Sequence, residues 1–425
     1  MSLCSAPAVA LSPSLKNGHA LWSNKAARSV GRVRVRAIAS AEAEEESSFG
    51  VVFGAGGTGG HVYPAIAIAD EMKAIMNPTF NLQIHFVGTK SRLEWKAVPA
   101  AGYEILPIPA VGLKRPILSP TNLLLPFKLL HCLWECWRIL GELRPHVVVG
   151  TGGYVAAPIC LMAFIRGIPV AIQEQNVSPG IANKILGMLA TMVFVAFPSS
   201  IDFFPKDKCV ISGNPIRPAL RKYMSNAVAR SHFFPRGSQL SNSQLLLILG
   251  GSLGANSINI AVLEMYTQML SEHENRYIIW QTGIDNFDEM DSLVRGHPRL
   301  FITPFLNNMD LAYAAADLVI ARAGAMTCSE LLATGKPSIL IPSTNVAENH
   351  QVKNATVMSE IAGAKLLYDD ELDSTTLAQS INDILGDENL MMDMHEKALK
   401  AALPDAASKI AESVLSLVKG GIKNN

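Results

Sequence analysis

The stretch from residue 317 to residue 351 orders its residues in a way that suits phosphate and sugar binding. An apolar run, Leu318 to Ala321, is followed by Arg322 and a small-residue turn, and helical periodicity begins at Ala325. The first turn of a helix offers unpaired N–H groups and a positive dipole end, which bind phosphate. Glu330 lies one to two turns inside, where a carboxylate can accept both hydroxyls of a ribose. The alternative is an ordinary crossover helix with an exposed glutamate.

A glycine-rich turn follows the first strand signal of the chain. The apolar residues Phe49 to Phe53 lead directly into Gly54-Ala-Gly-Gly-Thr-Gly-Gly-His61, and helical periodicity follows. Glycine lets a ligand approach the backbone because it has no Cβ. Strand, glycine turn and helix in succession are typical of the phosphate-facing turns of Rossmann-like units. The turn is not a P-loop, since no Gly-Lys-Ser/Thr sequence follows it.

The same order of strand, glycine turn and helix recurs along the chain. A second turn, Gly150 to Tyr154, follows the apolar run Val147 to Val149, and a third, Gly250 to Ala255, follows Leu245 to Leu249. Further short apolar runs predict strands at 82–87, 169–172, 192–195, 209–211, 277–281, 300–303 and 338–341, and helical segments follow at 374–386 and 405–419. Because strands alternate with helices, the fold class is α/β, with two parallel, doubly wound sheets.

The composition divides the chain into two domains that face each other. We place the first at 47–212, a polar linker at 213–243 and the second at 244–425, whose last helix can return to the first domain. A length of 425 residues suits two or three domains. The cleft between two such domains is the default place for a ligand.

Charge and cysteine content exclude several classes of protein. Lys+Arg and Asp+Glu both number 36, so the formal net charge is zero, which argues against nucleic-acid binding through bulk electrostatics. The six cysteines form no CxxC pair and no zinc-like cluster with histidine. The sequence also lacks HExxH and any Asp-x-Asp pair, the usual metal–diphosphate grip of one large class of sugar-nucleotide enzymes. We therefore expect no metal site.

Residues 1–46 have the composition of an organelle transit peptide. No Asp or Glu precedes Glu42, while Lys and Arg accumulate among Ser, Ala and small apolar residues. The uncharged, Ser- and Pro-containing start resembles plastid peptides more than mitochondrial ones, and Val35-Arg36-Ala37 resembles a plastid processing site. The sequence therefore predicts a chloroplast protein, on the stromal face of the inner envelope or at the thylakoid membrane.

An apolar stretch at 111–140 carries scattered basic and aromatic residues and is interrupted by prolines. It is too broken for a transmembrane helix, and no other stretch has the required length. Two interpretations remain. The stretch either contacts a membrane surface peripherally or is a loop leading into a partly buried helix.

Eight motifs in order give the chain a resemblance to the MurG family. They are the first glycine turn, Gly150-Thr-Gly-Gly-Tyr154, Glu174-Gln-Asn176, Gly213-Asn-Pro-Ile-Arg217, Gly250-Gly-Ser-Leu-Gly-Ala255, Thr303-Pro-Phe305, Arg322 to Glu330 and the loop His350-Gln-Val-Lys-Asn-Ala355. The resemblance covers about residues 49–420. It implies a two-domain GT-B glycosyltransferase that moves N-acetylglucosamine from UDP-GlcNAc to a polyprenyl-diphosphate-linked muramoyl-pentapeptide, in the synthesis of the peptidoglycan precursor.

The resemblance also implies which residues bind the donor. Glu330 would take the ribose, Leu306 would contact the uracil through its main chain, Gln351 would bind sugar hydroxyls and Arg217 would add a cation. The full donor set comprises Thr58, Gly59, Gly60, Asn176, Arg217, Ser252, Leu306, Ala325, Met326, Thr327, Cys328, Ser329, Glu330 and Gln351. No cofactor is implied, since UDP-GlcNAc is a substrate.

The expected reaction is an inverting, metal-independent displacement at the anomeric carbon. A helix dipole and Arg217 can stabilise the departing UDP without a metal. The acceptor hydroxyl needs a general base, and His61 is the candidate. The alternative for His61 is a structural role in orienting the glycine turn, which is also the role favoured for His350.

Three positions depart from the usual family pattern, and they keep other functions open. Gln173 stands where the family often has His, Leu253 where Gln is common, and Ala323 where Ser is common. The alternatives are a plastid galactolipid synthase that uses UDP-galactose and diacylglycerol, and a UDP-sugar-binding protein without turnover. A dehydrogenase is disfavoured because no acidic residue ends the second predicted strand to hold an adenosine ribose.

Overall fold

The computed structural model describes residues 48–76, 81–90, 92–112, 124–235, 242–343 and 349–422. The proposed transit peptide at 1–46 lies outside these residues, as do the basic residues Lys114 and Arg115 of the apolar stretch. Residues from Phe49 onward form one compact unit. Within the described residues, none of the helices has the length and apolar character needed to cross a membrane.

The first lobe is built around a seven-stranded sheet. Its strands are β1 (Ser48–Ala55), β2 (Asn81–Gly88), β3 (Glu104–Pro107), β4 (Val147–Gly152), β5 (Val170–Glu174), β6 (Met192–Val195) and β7 (Cys209–Ile211). Its helices are α1 (Gly59–Ile75), α2 (Glu94–Ala100), α3 (Leu125–Leu143), α4 (Gly153–Ile165) and α5 (Ile181–Leu189). Short 3-10 helices span Pro198–Phe203 and Lys206–Lys208.

The second lobe repeats this plan around six strands, preceded by a 3-10 helix at Pro218–Arg221 and by α6 (Asn226–Phe233). The strands are β8 (Gln244–Leu249), β9 (Arg276–Gln281), β10 (Leu300–Thr303), β11 (Leu318–Ala321), β12 (Ser338–Leu340) and β13 (Lys365–Leu366). The helices are α7 (Asn256–Glu272), α8 (Phe287–Leu293), α9 (Met309–Ala315), α10 (Ala325–Thr334), α11 (His350–Ala362), α12 (Ser374–Leu385), α13 (Glu388–Ala401) and α14 (Ala406–Ile422).

The two sheets share one topology. The first has the order β3-β2-β1-β4-β5-β6-β7 and the second the order β10-β9-β8-β11-β12-β13, with parallel pairing. In each sheet the strand order reverses between the first strand and the fourth, and such switch points bind ligands at the carboxyl ends of the strands. The prediction of two doubly wound parallel sheets is confirmed.

Buried apolar side chains cover both faces of each sheet. The central strands are apolar on both sides, as parallel strands between two helical layers must be. Val51, Val52 and Phe53 in β1 and Leu245 to Ile248 in β8 are fully buried. One cluster crosses the boundary between the lobes, because Val177, Ala196 and Phe197 of the first lobe belong to the same core as α9 and α10.

The last helix packs on the first lobe. Ile410, Ala411 and Val414 of α14 are fully buried in the core that also contains β1 and α1. The chain therefore crosses between the lobes twice, once after β7 and once before α14.

Part of the segment predicted as a linker is structured. Helix α6 lies within residues 213–243, and its buried Ala229 and Phe233 join the core of the second lobe. Arg230 extends from α6 to donate to Asp317 Oδ2 at 2.5 Å. The polar composition of the segment concealed this packing, because only one face of a two-turn helix is buried.

Candidate functional site

Glycine turns from both lobes lie at the two switch points. The turns after β1 and β4 belong to the first lobe, and those after β8 and β11 belong to the second. A Cβ added to Gly60 would lie 3.9 Å from Met326 Cγ, so the first turn faces the start of α10. Thr58 is exposed and Gly59 is half-buried beside it. The structure thus brings the predicted residues of the two lobes together.

Helix α10 begins at Ala325 without a side-chain cap. Gly324, its N-cap residue, is extended at φ −66° and ψ 144°, and its carbonyl accepts from Cys328 N at 2.9 Å. Ala325 and Thr327 are partly exposed, so the first-turn N–H groups can meet a ligand. The Cys328 side chain is instead fully buried, and burial raises the pKa of its thiol to about 12. Only the backbone of Cys328 is suited to a donor role.

Two side chains contact the buried carboxylate of Glu330. The Tyr313 hydroxyl donates to Glu330 Oε2 at 3.1 Å, and Arg217 Nε lies 3.7 Å from Glu330 Oε1. Burial raises the pKa of the Glu330 carboxyl, while Arg217 and Tyr313 oppose that rise. Arg217 also lies 5.8 Å from the ring of Tyr63, which is in α1. A partly exposed guanidinium therefore stands between the first glycine turn and the buried carboxylate.

Three further predicted donor residues lie in loops or helix starts of the second lobe. Ser252 is exposed in the turn after β8. Leu306 is buried, and its N–H donates to Gln281 Oε1 at 3.0 Å, so its main chain already has one partner. Gln351, in the first turn of α11, accepts from Ser343 N at 2.9 Å.

Arg322 points away from α10 and braces the second lobe. It donates to Asp369 Oδ1 at 2.6 Å and to Ile341 O at 3.0 Å through one nitrogen, and to Ser257 Oγ at 2.8 Å through another. These contacts join the end of β11 to β12, to the loop after β13 and to the start of α7. The guanidinium supports the turn, and its charge is matched by Asp369.

His61 lies in the first turn of α1 against the turn that follows β4. Its Nδ1 is 3.1 Å from Thr151 O and 3.1 Å from Gln175 Oε1. Gly152 and Gly153 have φ of 105° and 78°, which glycine adopts readily. A Cβ on Gly152 would lie 2.6 Å from His61 Nδ1, so this close approach requires glycine.

Burial determines the charge of His61. It lowers the pKa of the imidazole below 6.5, although the hydrogen bonds with Gln175 and Thr151 act in the opposite direction. The nearby His350 of the second lobe lowers it further. The imidazole is consequently neutral at neutral pH, the state in which it can accept a proton.

Asn354 ties the second lobe to the predicted donor residue Asn176. Its Nδ2 donates to Asn176 Oδ1 at 3.2 Å and to Ala323 O at 3.1 Å, while its Oδ1 accepts from Val177 N at 3.0 Å. Asn176 N in turn donates to Glu174 Oε1 at 2.8 Å. The side-chain amide of Asn176 is therefore part of the boundary between the lobes.

Glu94, which was not predicted as a site residue, supports the first glycine turn. Its carboxylate accepts from Gly57 N at 3.2 Å, from Thr89 N at 3.1 Å and from Thr89 Oγ1 at 2.6 Å. The side chain is fully buried at the start of α2. An acidic residue just after a strand and a Gly-Thr pair was a signal that could have found it.

Tyr313 and Asn214 were also missed. Tyr313 contacts Glu330 through tertiary packing of α9 on α10, which no local pattern shows. Asn214 is part of the motif Gly213-Asn-Pro-Ile-Arg217. Its Nδ2 donates to Ser329 Oγ at 2.9 Å across the boundary between the lobes. A polar residue between Gly213 and Pro215 was the available signal.

In the part of the chain that the structure describes, no group of three or more His, Cys, Asp or Glu side chains is arranged to hold a metal ion. The groups at the site include the backbone N–H groups that begin α10, the Glu330 carboxylate, the Arg217 guanidinium and the His61 imidazole. They are suited to a phosphorylated, hydroxylated ligand and to proton transfer.

Comparison with known proteins agrees with this arrangement. Residues 51–195 match the glycosyltransferase family 28 N-terminal domain, and residues 245–410 match the glycosyltransferase family 28 C-terminal domain. The first match covers the first sheet as far as β6 with its two glycine turns, and the second covers the second sheet with its two turns.

Similar proteins align along nearly their whole length. The UDP-N-acetylglucosamine--N-acetylmuramyl-(pentapeptide) pyrophosphoryl-undecaprenol N-acetylglucosamine transferase of Salinibacter ruber is 44% identical, over 85% of this chain and 95% of its own. The protein of the same name from Flavobacterium psychrophilum is 41% identical, over 87% and 97%. The crystal structure of Acinetobacter baumannii MurG superposes with a TM-score of 0.67 at 29% identity, over 86% of this chain and 99% of that one. The chain is therefore a glycosyltransferase of family 28 and belongs, within it, to the MurG family.

Proposed function

We propose that the protein transfers N-acetylglucosamine from UDP-GlcNAc to a polyprenyl-diphosphate-linked muramoyl-pentapeptide. The observation that carries the proposal is the position of His61, which faces the boundary where α10 begins with Glu330 one to two turns inside. The names of the similar bacterial proteins include the same donor and acceptor. A base from one lobe and a nucleotide-binding helix from the other meet where a sugar would lie.

The donor binds on the second lobe. Its diphosphate lies at the first turn of α10, at the backbone of Ala325 to Thr327, where N–H groups and the helix dipole favour an anion. The ribose hydroxyls donate to the Glu330 carboxylate, which Tyr313 orients. Ser252, Leu306 and Gln351 complete the pocket from the second lobe. Thr58, Gly59, Gly60 and Asn176 close it from the first.

The chemistry is a single displacement that inverts the anomeric carbon. The acceptor hydroxyl oxygen forms a bond to C1 of the sugar, its proton passes to His61, and the C1–oxygen bond to UDP breaks. The negative charge that develops on UDP is stabilised by the α10 N-terminus and by Arg217. Because these groups supply the positive potential, the reaction proceeds without a metal ion.

Membrane contact is proposed for the outer face of α3. Phe127 and Trp134 are 71% and 58% exposed, and Leu130 and Trp137 are exposed beside them. The opposite face, with Cys132 and Cys136, is buried in the first lobe. The helix is thus partly buried, and its outer apolar face beside Lys128 suits a lipid surface that carries the acceptor.

Plastid targeting is proposed for residues 1–46. The family match begins only at residue 51, while the Salinibacter ruber relative is matched over 95% of its length. The composition of this N-terminal segment supports import into a plastid, where the membrane-bound acceptor would be reached from the stroma.

The transfer itself is tested with the full chain and labelled UDP-GlcNAc. Lipid-linked muramoyl-pentapeptide and diacylglycerol serve as acceptors, each with and without EDTA. We expect label to appear only in the muramoyl lipid and to be unaffected by EDTA. In a parallel reaction with labelled UDP-galactose, transfer to diacylglycerol would indicate a galactolipid-synthase-like enzyme. Saturable UDP-GlcNAc binding without any transfer, abolished in Glu330→Ala, would indicate a non-catalytic binding protein.

The role of Tyr313 is tested through the ribose. Tyr313→Phe removes the hydroxyl that orients Glu330, so we expect the KM for UDP-GlcNAc to rise about five- to tenfold, the size of the typical net contribution of one hydrogen bond. The kcat should stay near wild type. The preference for UDP-GlcNAc over its 2′-deoxyuridine analogue should fall as well.

Tyr266→Phe is the matched control for this change. Tyr266 is a buried tyrosine whose hydroxyl accepts from Arg295 N at 3.1 Å, and it lies in α7. We expect its KM and its donor preference to match wild type. An unchanged donor preference in Tyr313→Phe would contradict ribose binding by Glu330.

The proposed base is tested by pH and by substitution. Activity requires neutral His61, so kcat/KM should rise with pH and level off, with its acid limb below pH 6.5 because burial lowers the pKa. His61→Ala should lower kcat by about 10²- to 10⁴-fold, the usual contribution of a general base. Its Kd for UDP-GlcNAc should change less than about twofold, because the hydroxyl proton is not on the donor.

His297→Ala controls for loss of a partly buried histidine. His297 precedes β10, which is an edge strand of the second sheet. Burial lowers the pKa of its imidazole, as it does for His61. A wild-type kcat in His61→Ala would show that the base lies elsewhere.

A further inference from the structure

A chain of buried amide side chains connects His61 to helix α10. His61 Nδ1 contacts Gln175 Oε1 at 3.1 Å, and Gln175 Nε2 donates to Gln173 Oε1 at 2.5 Å. Gln173 Nε2 then donates to Asn214 Oδ1 at 2.7 Å. All three amide residues are at most 2% exposed. This series of hydrogen-bonded amides begins at His61, the candidate base of the first lobe.

The other end of the chain lies in the first turn of α10. Asn214 Nδ2 donates to Ser329 Oγ at 2.9 Å and is 3.4 Å from Ala325 O. The Ser329 hydroxyl itself donates to Ala325 O at 3.1 Å. Asn214 Nδ2 also donates to Gln175 O at 3.1 Å. The Asn214 amide therefore joins the backbone of Gln175, whose side chain contacts His61, to the helix proposed to hold the donor diphosphate.

Backbone carbonyls fix the direction of every hydrogen bond in this chain. A carbonyl oxygen only accepts, so Asn214 must turn its NH₂ group toward Ala325 O and Gln175 O and its oxygen toward Gln173. Gln173 must then present its NH₂ group to Asn214 and its oxygen to Gln175. Flipping any one amide would set oxygen against oxygen and leave buried polar groups unpaired, which costs free energy because these residues are at most 2% exposed.

The same direction reaches the imidazole. Gln175 turns its NH₂ group toward Gln173 Oε1 and Thr151 O, so its own oxygen faces His61 Nδ1. Thr151 O also lies 3.1 Å from that nitrogen. Both partners of Nδ1 are acceptors, so Nδ1 carries the ring hydrogen. In a neutral imidazole the lone pair then resides on Nε2.

We propose that Gln173, Gln175 and Asn214 are positioning residues of the transfer reaction, which set the tautomer of His61 and hold its ring in register with the first turn of α10. The proposal rests on the proposed role of His61 as the base. A base works only within hydrogen-bond reach of the proton that it removes. The donor sugar and the base belong to different lobes, so a small displacement between the lobes separates them. The amide chain opposes that displacement at the point where it matters.

Gln173 is the residue to change, because among the described residues its side-chain amide bonds with Gln175 and Asn214. Gln173→Leu keeps an apolar volume in place of the amide and removes both hydrogen bonds. We expect kcat to fall about tenfold, with the KM for UDP-GlcNAc within about twofold of wild type. Gln173→His should recover most of the activity, because one ring nitrogen can accept from Gln175 and the other can donate to Asn214.

Gln244→Leu is the matched control. Gln244 Nε2 donates to Leu385 O at 3.0 Å, and its Oε1 accepts from Arg276 Nε at 3.1 Å. The residue begins β8, at the amino end of that strand, whereas α10 follows the carboxyl end of the neighbouring strand β11. It loses two hydrogen bonds by the same substitution, and we expect kcat and KM as in wild type.

A double-mutant cycle separates positioning from support of the fold. Residues that act through one group have non-additive effects. Gln173→Leu should therefore lower kcat in the wild-type protein and cause no further loss in His61→Ala. An equal loss in both backgrounds would overturn the proposal.

The tautomer is measured directly on the unmodified full chain. Labelling with ¹⁵N-histidine and long-range proton–nitrogen correlation show which ring nitrogen of His61 carries hydrogen, with assignment by comparison to His61→Ala. Nδ1–H supports the proposal, and Nε2–H in the wild-type protein overturns it whatever the kinetics. This result is independent of whether His61 is the base. A wild-type kcat in His61→Ala would refute the role of His61 in the proposed function. The tautomer would still show whether the buried amides determine which ring nitrogen carries hydrogen.

Discussion

The boundary between the two lobes depends on buried amide groups that must all find partners. Asn214 and Asn354 each bind backbone or side-chain atoms of both lobes, and each is at most 2% exposed. Separating the lobes at this boundary would leave several buried donors and acceptors unpaired, each at a cost of about 1–3 kcal/mol. Specific hydrogen bonding therefore fixes how the lobes meet. Apolar residues such as Val177 and Phe197 add buried surface at this boundary, but their packing does not fix an orientation as hydrogen bonds do.

Topology explains why this boundary is also the site. Both sheets change direction between their first and fourth strands, and the turns that leave those strands open toward the other lobe. Glycine at Gly152 allows His61 to come close to the turn that leaves β4. The buried Glu94 and the partly buried Arg322 support these turns through hydrogen bonds. The groups that face the boundary are consequently positioned by rigid elements on both sides.

Local sequence patterns were sufficient for most of the fold and for proposing the centre of the site. Strands that run into glycine turns were predictable because apolar runs and glycine are local signals. The edge strands β3 and β13 were not predicted, since they are short and partly exposed, and α6 and α13 were missed because their buried faces are narrow. Glu330 and His61 could be named from the motifs. Their partners Tyr313 and Gln175 are brought to them by tertiary packing, 17 and 114 residues away in the chain.

The central claim is that one donor site forms where α10 faces the first lobe. A structure determined with UDP-GlcNAc bound tests it most directly. The account predicts the ribose hydroxyls within hydrogen-bond distance of the Glu330 carboxylate, the diphosphate against the N–H groups of Ala325 to Thr327, and the sugar on the side of His61. A nucleotide whose ribose does not contact Glu330, or whose sugar points away from the first lobe, would contradict it.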